Sequence, residues 1–179
     1  MDSLSPIVKQ KGFTLLELII VIVILGILAV TASSRFDGSK GFAEYTYQAR
    51  LISSLRHMQQ QAIQDTRPGY CFQINFLASP AAFGPPTLSY NSGAPGATCS
   101  TLIEHGNPDY LRTTASEMAG DGVTFGTLPF TFIGFDSFGR PLTDNGSAPN
   151  CSAGCQLDFV GEASVSVCIE SQGYIHVCE

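Results

Sequence analysis

Two groups capable of chemistry lie close together near the amino terminus: a Gly–Phe peptide bond and a single carboxylate. Glu17 is the one ionisable side chain in the apolar segment GFTLLELIIVIVILGILAVTA, residues 12–32. A carboxylate within an apolar helix is costly unless a cation pairs with it. Cleavage after Gly12 would create an α-amine on Phe13, which is four residues before Glu17 and on the same helical face. We expect that amine, or the amine of a neighbouring chain, to be the partner of Glu17.

Cysteines provide the second kind of chemistry, and all six lie beyond residue 70. This cysteine usage indicates an oxidising compartment. Six thiols allow fifteen pairings, and the sequence does not choose between them. Our hypothesis is sequential pairing, with three disulfides: Cys71–Cys99, Cys151–Cys155 and Cys168–Cys178.

Zinc is the alternative for one of these pairs. Cys151 and Cys155 could bind the metal together with His105 or His176. The spacing matches no paired zinc knuckle, and export from the cytoplasm favours disulfides. We therefore predict no metal site.

The apolar segment is the first element that must position these groups. At ~1.5 Å per residue, residues 13–32 form a helix of ~30 Å, which is about the thickness of a bilayer's hydrocarbon core. Lys9 and Lys11 precede it, so the positive-inside rule keeps that end cytoplasmic. We predict a membrane-spanning helix with the rest of the chain on the far side. A secretory signal cleaved at the small residues 31–34 is the alternative, but it leaves Glu17 unexplained.

A second helical pattern follows. Residues 33–42 contain two glycines and several small polar residues, which predict a kink or a weakened helix. Residues 43–64 are amphipathic, and Pro68-Gly69 predicts that the helix ends near Thr66. If both halves are continuous, residues 13–66 form one helix of ~80 Å. The apolar stripe recurs at steps of three and four residues and consists of Tyr47, Leu51, Leu55, Met58 and Ala62.

The pattern of residues 67–179 predicts a β-rich globular head. Residues 79–98 and 143–154 are rich in Gly, Pro and small polar residues, and we predict loops there. One helix packed on an antiparallel sheet, an α+β fold, is the architecture that this order predicts. The predicted strands cover residues 70–77, 99–104, 123–125, 130–135, 164–169 and 174–178.

The last two predicted strands bear on the disulfide hypothesis. They are joined by Ser171-Gln172-Gly173. If these form a three-residue turn, Cys168 faces His176 across the hairpin, and Cys178 is only a diagonal neighbour of Cys168. The pairing of Cys168 with Cys178 then requires a diagonal bond.

Charge argues against nucleic acid as a partner. The formal net charge is −6, and from Asp65 onward the chain has three arginines against eleven acidic residues. Binding to a phosphate backbone requires clustered Lys and Arg, so we expect no nucleic-acid partner.

Catalytic motifs are also missing from the sequence. Residues 134–139, GFDSFG, have the spacing GxxSxG and not the GxSxG of a nucleophile elbow, and Pro141 follows at once. His57, His105 and His176 are expected to be surface or half-exposed strand residues. We therefore predict that the chain is not an enzyme and that it binds no cofactor.

The segment Lys11-Gly12-Phe13-Thr14-Leu15-Leu16-Glu17 resembles the amino-terminal signal of type IV pilins and pseudopilins. The resemblance implies that residues 1–12 are a leader, which a prepilin peptidase removes between Gly12 and Phe13 before Phe13 is N-methylated. It implies that Glu17 pairs with the amine of a neighbouring subunit when helices assemble in a filament. It also implies residence in a bacterial inner membrane, with a periplasmic head, followed by an extracellular filament.

Two further resemblances refine this expectation. Residues 21–32 are similar to the mannose-sensitive haemagglutinin (MSHA) pilins. Residues 62–63, 135–141 and 168–175 resemble minor pilins related to the H-type pseudopilins and to the FimT type. Together they imply a minor subunit of an MSHA-type pilus used in attachment. A minor pseudopilin of a type II secretion system and a DNA-uptake minor pilin are the alternatives.

The family comparison also bears on two local features. The loop closed by Cys168 and Cys178 resembles the carboxy-terminal disulfide loop of many pilins. Ser33 and Ser34 stand where many pilins have a proline, which leaves the shape of the expected kink open.

Overall fold

The computed structural model describes residues 14–36, 41–87, 99–103, 109–143 and 151–178. The chain divides into two compact units, Met1–Ser39 and Lys40–Glu179. Residues 37–40 lie outside the described residues. The structure therefore does not test whether the chain kinks there or continues as one helix.

The first unit contains helix α1, Leu15–Phe36, which is 22 residues long. The helix begins next to Thr14, whose hydroxyl accepts a hydrogen bond of 3.3 Å from the Glu17 N–H. This bond satisfies one of the amide donors that every helix leaves unpaired in its first turn. A threonine three residues before a glutamate is therefore a local start signal, and it places Glu17 in the first turn of α1.

Within the part of the chain that the structure describes, no helix combines the length and the apolar character that crossing a membrane requires.

The second unit begins with helix α2, Ala43–Gln64, which is also 22 residues long. The five residues of the predicted stripe are all buried, with at most 3% of each exposed. The 3.6-residue period of the sequence is thus confirmed as the buried face of α2. The helix ends at Gln64, two residues before the predicted Thr66.

In the described residues after α2, eight strands form two antiparallel four-stranded sheets. The first sheet has the order β2-β1-β4-β5, with β1 Gln73–Ala78, β2 Ala81–Gly84, β4 Phe132–Phe135 and β5 Pro141–Thr143. The second has the order β3-β6-β7-β8, with β3 Thr124–Phe125, β6 Cys155–Val160, β7 Ser164–Ile169 and β8 Ile175–Val177. The predicted α+β class is confirmed, although the single sheet expected from the sequence is in fact two.

A cluster of aromatic rings fills the space between the two sheets. Phe76 and Phe83 come from the first sheet, and Phe125 and Phe159 come from the second. Neighbouring ring centroids in this cluster lie 5.3–6.5 Å apart. Full burial of such a side chain stabilises a fold by about 1.5–3 kcal/mol. The cluster and the buried stripe of α2 therefore form one core that both sheets share.

Three local predictions differ from the structure. The predicted loop at 79–98 contains strand β2, which is buried and pairs with β1. The predicted strand at 99–104 is reduced to a single bridge between Ile103 and Pro86, and Glu104 lies outside the described residues. Residue Thr143, placed in a loop, ends strand β5.

Three elements were not predicted at all, namely strand β5, strand β6 and a short third helix. Strand β6 lies just after the predicted loop at 143–154 and forms the longest pairing in its sheet, with β7. Helix α3, Ala115–Gly120, begins with a capping box in which Thr114 and Glu117 satisfy each other's backbone amides. The remaining described elements are short 3₁₀ turns at Asp109–Leu111 and Cys151–Ala153.

Candidate functional site

The amino-terminal candidate site is only partly described. Gly12 and Phe13, the predicted cleavage and methylation residues, lie outside the described residues. Glu17 lies in the first turn of α1 and its side chain is exposed. The predicted pairing of Glu17 with an amine therefore stays a prediction.

Helix α1 carries apolar side chains on all of its faces between Leu18 and Leu28, and Glu17 comes just before them. The large apolar side chains between Leu15 and Leu28 are each 44–77% exposed. Exposed apolar surface of this extent is unfavourable in water. These side chains are therefore largely uncovered within the described part of the chain.

In the second unit, two turns that are distant in sequence meet at one residue of α2. The Gln59 side-chain amide donates to the carbonyl of Gly139 at 2.8 Å and to the carbonyl of Gly173 at 2.7 Å. Gly173 has φ +92°, and a Cβ atom there would lie 2.1 Å from the Gly139 oxygen. Only glycine fits such a position. Gln59 thus joins the β4–β5 turn to the β7–β8 turn, and we refer to residues 136–140 and 170–174 as the paired turns.

The β4–β5 turn is organised by Asp136. One carboxylate oxygen accepts the backbone N–H groups of Phe138 and Arg140, each at 2.9 Å, and the other accepts the Arg140 guanidinium at 2.8 Å. Burial raises the pKa of Asp136, but these hydrogen bonds outweigh it and hold the pKa below its usual range. Asp136 is therefore an ionised structural group that fixes the turn, not a proton donor.

The paired turns present aromatic rings to solvent. Phe138 is 77% exposed and Tyr174 is 65% exposed. The Arg140 guanidinium lies over the Phe138 ring, 5.1 Å from its centroid, and the His176 ring stacks on Tyr174 at 4.8 Å. Exposed aromatic rings on rigid turns are typical of contact surfaces between proteins. The residues that carry the resemblance to minor pilins, 135–141 and 168–175, thus lie in one region of the second unit.

All six cysteines are in disulfides. The bonds join Cys71 to Cys99, Cys151 to Cys155 and Cys168 to Cys178, with Cα–Cα distances of 5.7, 4.8 and 5.1 Å. These are the same pairs as in the sequential hypothesis.

The terminal hairpin shows how the third bond forms. Cys168 faces His176 across β7 and β8, so Cys178 is its diagonal neighbour. The diagonal geometry anticipated from the turn is therefore present, and a disulfide spans it.

The zinc alternative loses its ligands in this arrangement. Cys151 and Cys155 are bonded to each other, so neither is available as a thiolate. The described residues contain no group of three or more potential ligands that could hold a metal ion. His105 lies outside the described residues.

The other histidines contact surface groups. His57 lies on α2, where Gln61 is 3.2 Å from its ring and Tyr110 meets it edge to face. Burial lowers the pKa of His57. The Nε2 of His176 lies 3.2 Å from the Glu170 carboxylate. In the described residues, neither ring is hydrogen-bonded to a Ser, Thr or Cys side chain that could act as a nucleophile.

Sequence reasoning did not identify Glu44. This residue lies in the first turn of α2, is 1% exposed, and accepts the Ala163 N–H at 3.0 Å. The hydrogen bonds from Ala163 and from its own backbone lower the pKa of Glu44 despite its burial. Gly161 is required beside it, because a Cβ atom there would lie 2.1 Å from the carboxylate. Glu44 thus attaches the start of α2 to the β6–β7 turn.

Comparison with known proteins gives a family match for the segment that contains the amino-terminal site. Residues 7–33 match the family described as "Prokaryotic N-terminal methylation motif". This range contains Gly12, Phe13 and Glu17. The motif implies processing by a prepilin peptidase and assembly with other pilin subunits. The α+β architecture, an amino-terminal helix followed by antiparallel sheets, is consistent with the type IV pilin fold.

A curated relative makes the comparison more specific. The type II secretion system protein H of Aeromonas hydrophila is 33% identical to this chain over 60 residues. The match spans 33% of this chain and 33% of that protein. No solved structure matches the chain. The motif and this relative together support the type IV pilin and pseudopilin family, and within it a minor pilin or pseudopilin.

Proposed function

We propose that this chain is a non-enzymatic minor subunit of a type IV pilus-like filament. The observation that carries the proposal is the methylation motif at residues 7–33, which overlaps helix α1 and includes its run of apolar residues and glycine at 18–30. Prepilin peptidase cleaves between Gly12 and Phe13 and methylates the new amine. No cofactor takes part in the role of the mature subunit.

Helix α1 has two successive environments in this proposal. It first anchors the precursor in the inner membrane with the second unit on the periplasmic side. It then packs among the helices of other subunits in an extracellular filament. Both environments are apolar, which suits its exposed side chains. An unpaired Glu17 is costly there, so its pairing with a neighbouring amine selects the correct register.

Within this class we propose an MSHA-type minor pilin that contributes to surface attachment. Its support is the resemblance of residues 21–32 to the MSHA pilins and of the head to the minor-pilin group, which together resemble the MSHA minor pilin MshC. The paired turns, with Phe138 and Tyr174 exposed, are the surface that we expect to contact other subunits at the priming or tip position.

A minor pseudopilin of a type II secretion system is the second candidate. The specific observation in its favour is the 33% identity to the secretion protein H. A DNA-uptake role fits less well, since arginines of the second unit engage acceptors within the unit. Arg50, Arg67 and Arg140 pair with carboxylates, and Arg56 donates to the Ile175 carbonyl.

The deciding experiment is to determine the amino-terminal sequence and mass of the protein from sheared surface filaments and, separately, from membranes. N-methyl-Phe13 in sheared filaments is the expected result for a pilin. N-methyl-Phe13 confined to membranes would favour the pseudopilin. Cleavage near Ser33, or an intact Met1, would refute the filament proposal.

A matched substitution tests the cleavage site itself. Gly12→Val places a branched side chain next to the bond to be cut, and we expect uncut precursor to accumulate in the membrane. Ser3→Val, in the same leader, is the control and should be processed normally. Normal processing of Gly12→Val would contradict the assignment.

A further inference from the structure

The second unit has an open cleft between the outer face of α2 and strand β8. Its volume is about 650 Å³, and Arg56, His57, Gln60, His176 and Val177 are among the residues that line it. Among the described residues, no Asp or Glu side chain lines this cleft. A cleft that collects an arginine and two histidines stands out in a chain of net charge −6.

Strand β8 contributes His176 and Val177 to the cleft. It is the last strand in the order β3-β6-β7-β8, so among the described residues one of its edges has no neighbouring strand. Glu170 donates to Tyr174, and Cys178 donates to Ser166. In an antiparallel pair such bonded positions alternate, so Ile175 and Val177 direct their backbone groups away from β7.

Two backbone carbonyl oxygens of β8 that point away from β7 already have side-chain partners. The Arg56 guanidinium donates to the Ile175 oxygen, and the His176 ring nitrogen lies close to the Val177 oxygen, each at 2.8 Å. The Val177 N–H also points outward, and this residue is 52% exposed and lines the cleft, whereas Ile175 is only 2% exposed. The donors that face the cleft at this edge are therefore the Val177 N–H and the Arg56 guanidinium.

Arg56 differs from the other arginines that pair within the second unit. Arg50, Arg67 and Arg140 each bind a carboxylate at 2.5–2.8 Å. Among the described residues, Arg56 has no carboxylate partner and uses one nitrogen for the Ile175 carbonyl. A guanidinium carries five N–H donors in a planar fork that fits a carboxylate, and the described residues use only part of this capacity at Arg56.

We propose that this cleft binds an acidic segment of a partner polypeptide. A Glu or Asp side chain of the partner pairs with the Arg56 guanidinium, and a neighbouring backbone carbonyl of the partner accepts the outward N–H of Val177. Glu170 already contacts His176, with 3.2 Å between its carboxylate and the ring Nε2, so Arg56 is the main anchor. The inference does not rest on the proposed function, since every residue that it uses belongs to the second unit.

The test is a binding measurement on the full chain in a non-ionic detergent. The probe is a short fluorescein-labelled peptide that alternates Glu and Thr, and the matched peptide has Gln in place of Glu. We expect fluorescence polarisation to show saturable binding of the Glu peptide at low ionic strength. Binding of the Gln peptide should be about tenfold weaker, because it lacks the charge. Equal binding of both peptides, or binding of neither, would overturn the proposal.

A nearly isosteric substitution locates the site. Gln60 lies four residues after Arg56 on the exposed side of α2. Gln60→Glu offers Arg56 a carboxylate within the helix, so we expect about tenfold weaker binding of the Glu peptide. Gln64→Glu makes the same change one turn later, outside the residues that line the cleft, and should leave binding within about twofold.

Two further results complete the test. Arg56→Lys retains the charge without the fork, and we expect an intermediate loss of affinity. If Gln60→Glu and Arg56→Lys both bind the Glu peptide like the parent chain, the cleft is not the site. If sedimentation shows that the chain self-associates and Gln60→Glu abolishes this association, the occupant is a second copy of the chain, and the proposed partner is wrong.

Discussion

Helices α1 and α2 have the same length but obtain their stability in different ways. Each has 22 residues and one acidic residue in its first turn. In α2 that residue, Glu44, is 1% exposed and bonded to Ala163, and a stripe of apolar side chains is buried on two sheets. In α1 the corresponding residue, Glu17, is exposed, and so are the apolar side chains around it.

The difference shows how one secondary structure serves two purposes. A helix with an apolar stripe is stabilised by burying that stripe within its own unit. A helix that is apolar all round requires surroundings outside the unit. We therefore expect substitutions in α1 to change assembly and substitutions in α2 to change the stability of the second unit.

The largest expected effect concerns Glu17. Glu17→Gln keeps the shape of the side chain and removes the charge that we propose to pair with a neighbouring amine. We expect normal cleavage after Gly12 but a loss of incorporation into filaments, because breaking a buried ion pair costs about 3–5 kcal/mol. Immunoblots of sheared filaments and of membranes measure the two steps separately. Parental levels in filaments would contradict the docking role.

A core substitution in α2 should have the opposite effect. Leu55 is fully buried, and Leu55→Ala should lower the free energy of unfolding of the second unit by about 2–5 kcal/mol. Leu25→Ala in α1 is the matched control, since Leu25 is 58% exposed. Urea unfolding of the full chain in detergent, followed by near-ultraviolet circular dichroism, tests both variants. Equal losses of unfolding free energy in Leu55→Ala and Leu25→Ala would contradict the expected difference between the two helices.

The link between α2 and the paired turns should have an intermediate effect. Gln59→Ala removes both hydrogen bonds to the Gly139 and Gly173 carbonyls. We expect a loss of about 1–3 kcal/mol, because two buried acceptors lose a donor. Hydrogen exchange should also become faster in residues 136–140 and 170–174 but not in β6. Gln64→Ala, at the exposed end of the same helix, serves as the control.

The smallest effect should be the acid dependence that Glu44 contributes. Its pKa in the folded state lies below the ordinary value of 4.5, so its stabilisation is present above that pH and is lost as the pH falls through the folded-state pKa. Asp136 has a pKa shift of the same sign, so acid sensitivity should persist in part when Glu44 is replaced. Thermal unfolding of Glu44→Gln between pH 3 and pH 7 should show a flatter profile than the parent chain. Parallel profiles would show that Glu44 contributes nothing to this dependence.

The parts of the fold that sequence reasoning predicted are those with a strong local period. The buried stripe of α2 follows directly from the helical repeat, and the alternation in residues 164–169 predicts strand β7 with its observed bounds. These elements are specified by neighbours in sequence, so they can be recognised without tertiary information.

The missed elements depend on distant partners. Strand β6 also alternates, with Leu157 and Phe159 buried, but it directly follows a loop rich in Gly and Pro and is defined by its pairing with β7. Strand β2 has a composition typical of a loop, and only its partner β1 makes it a strand. The division into two sheets is decided by packing around α2 and the aromatic cluster. No local sequence pattern indicates such packing.

Candidate site residues show the same limit. The hypothesis of sequential pairing, which the sequence did not select over the other pairings, coincides with the observed bonds. The motif at residues 11–17 pointed to Glu17. The role of Gln59 could not be recognised from the sequence, because a glutamine on a helix does not reveal that two carbonyls lie within its reach. The indirect sign was a glycine in each of two turns, Gly139 and Gly173, both with positive φ.

The order of the three disulfides has a consequence for biogenesis. Each cysteine is bonded to the next one along the chain, and the loops that the bonds close span 28, 4 and 10 residues. If the head follows the anchor across the membrane during synthesis, its thiols reach the oxidising side in the order of the chain. The second cysteine of each pair then meets its native partner before any later cysteine is exposed. We therefore expect an oxidase to form these bonds without the disulfide isomerase that interleaved connectivities require.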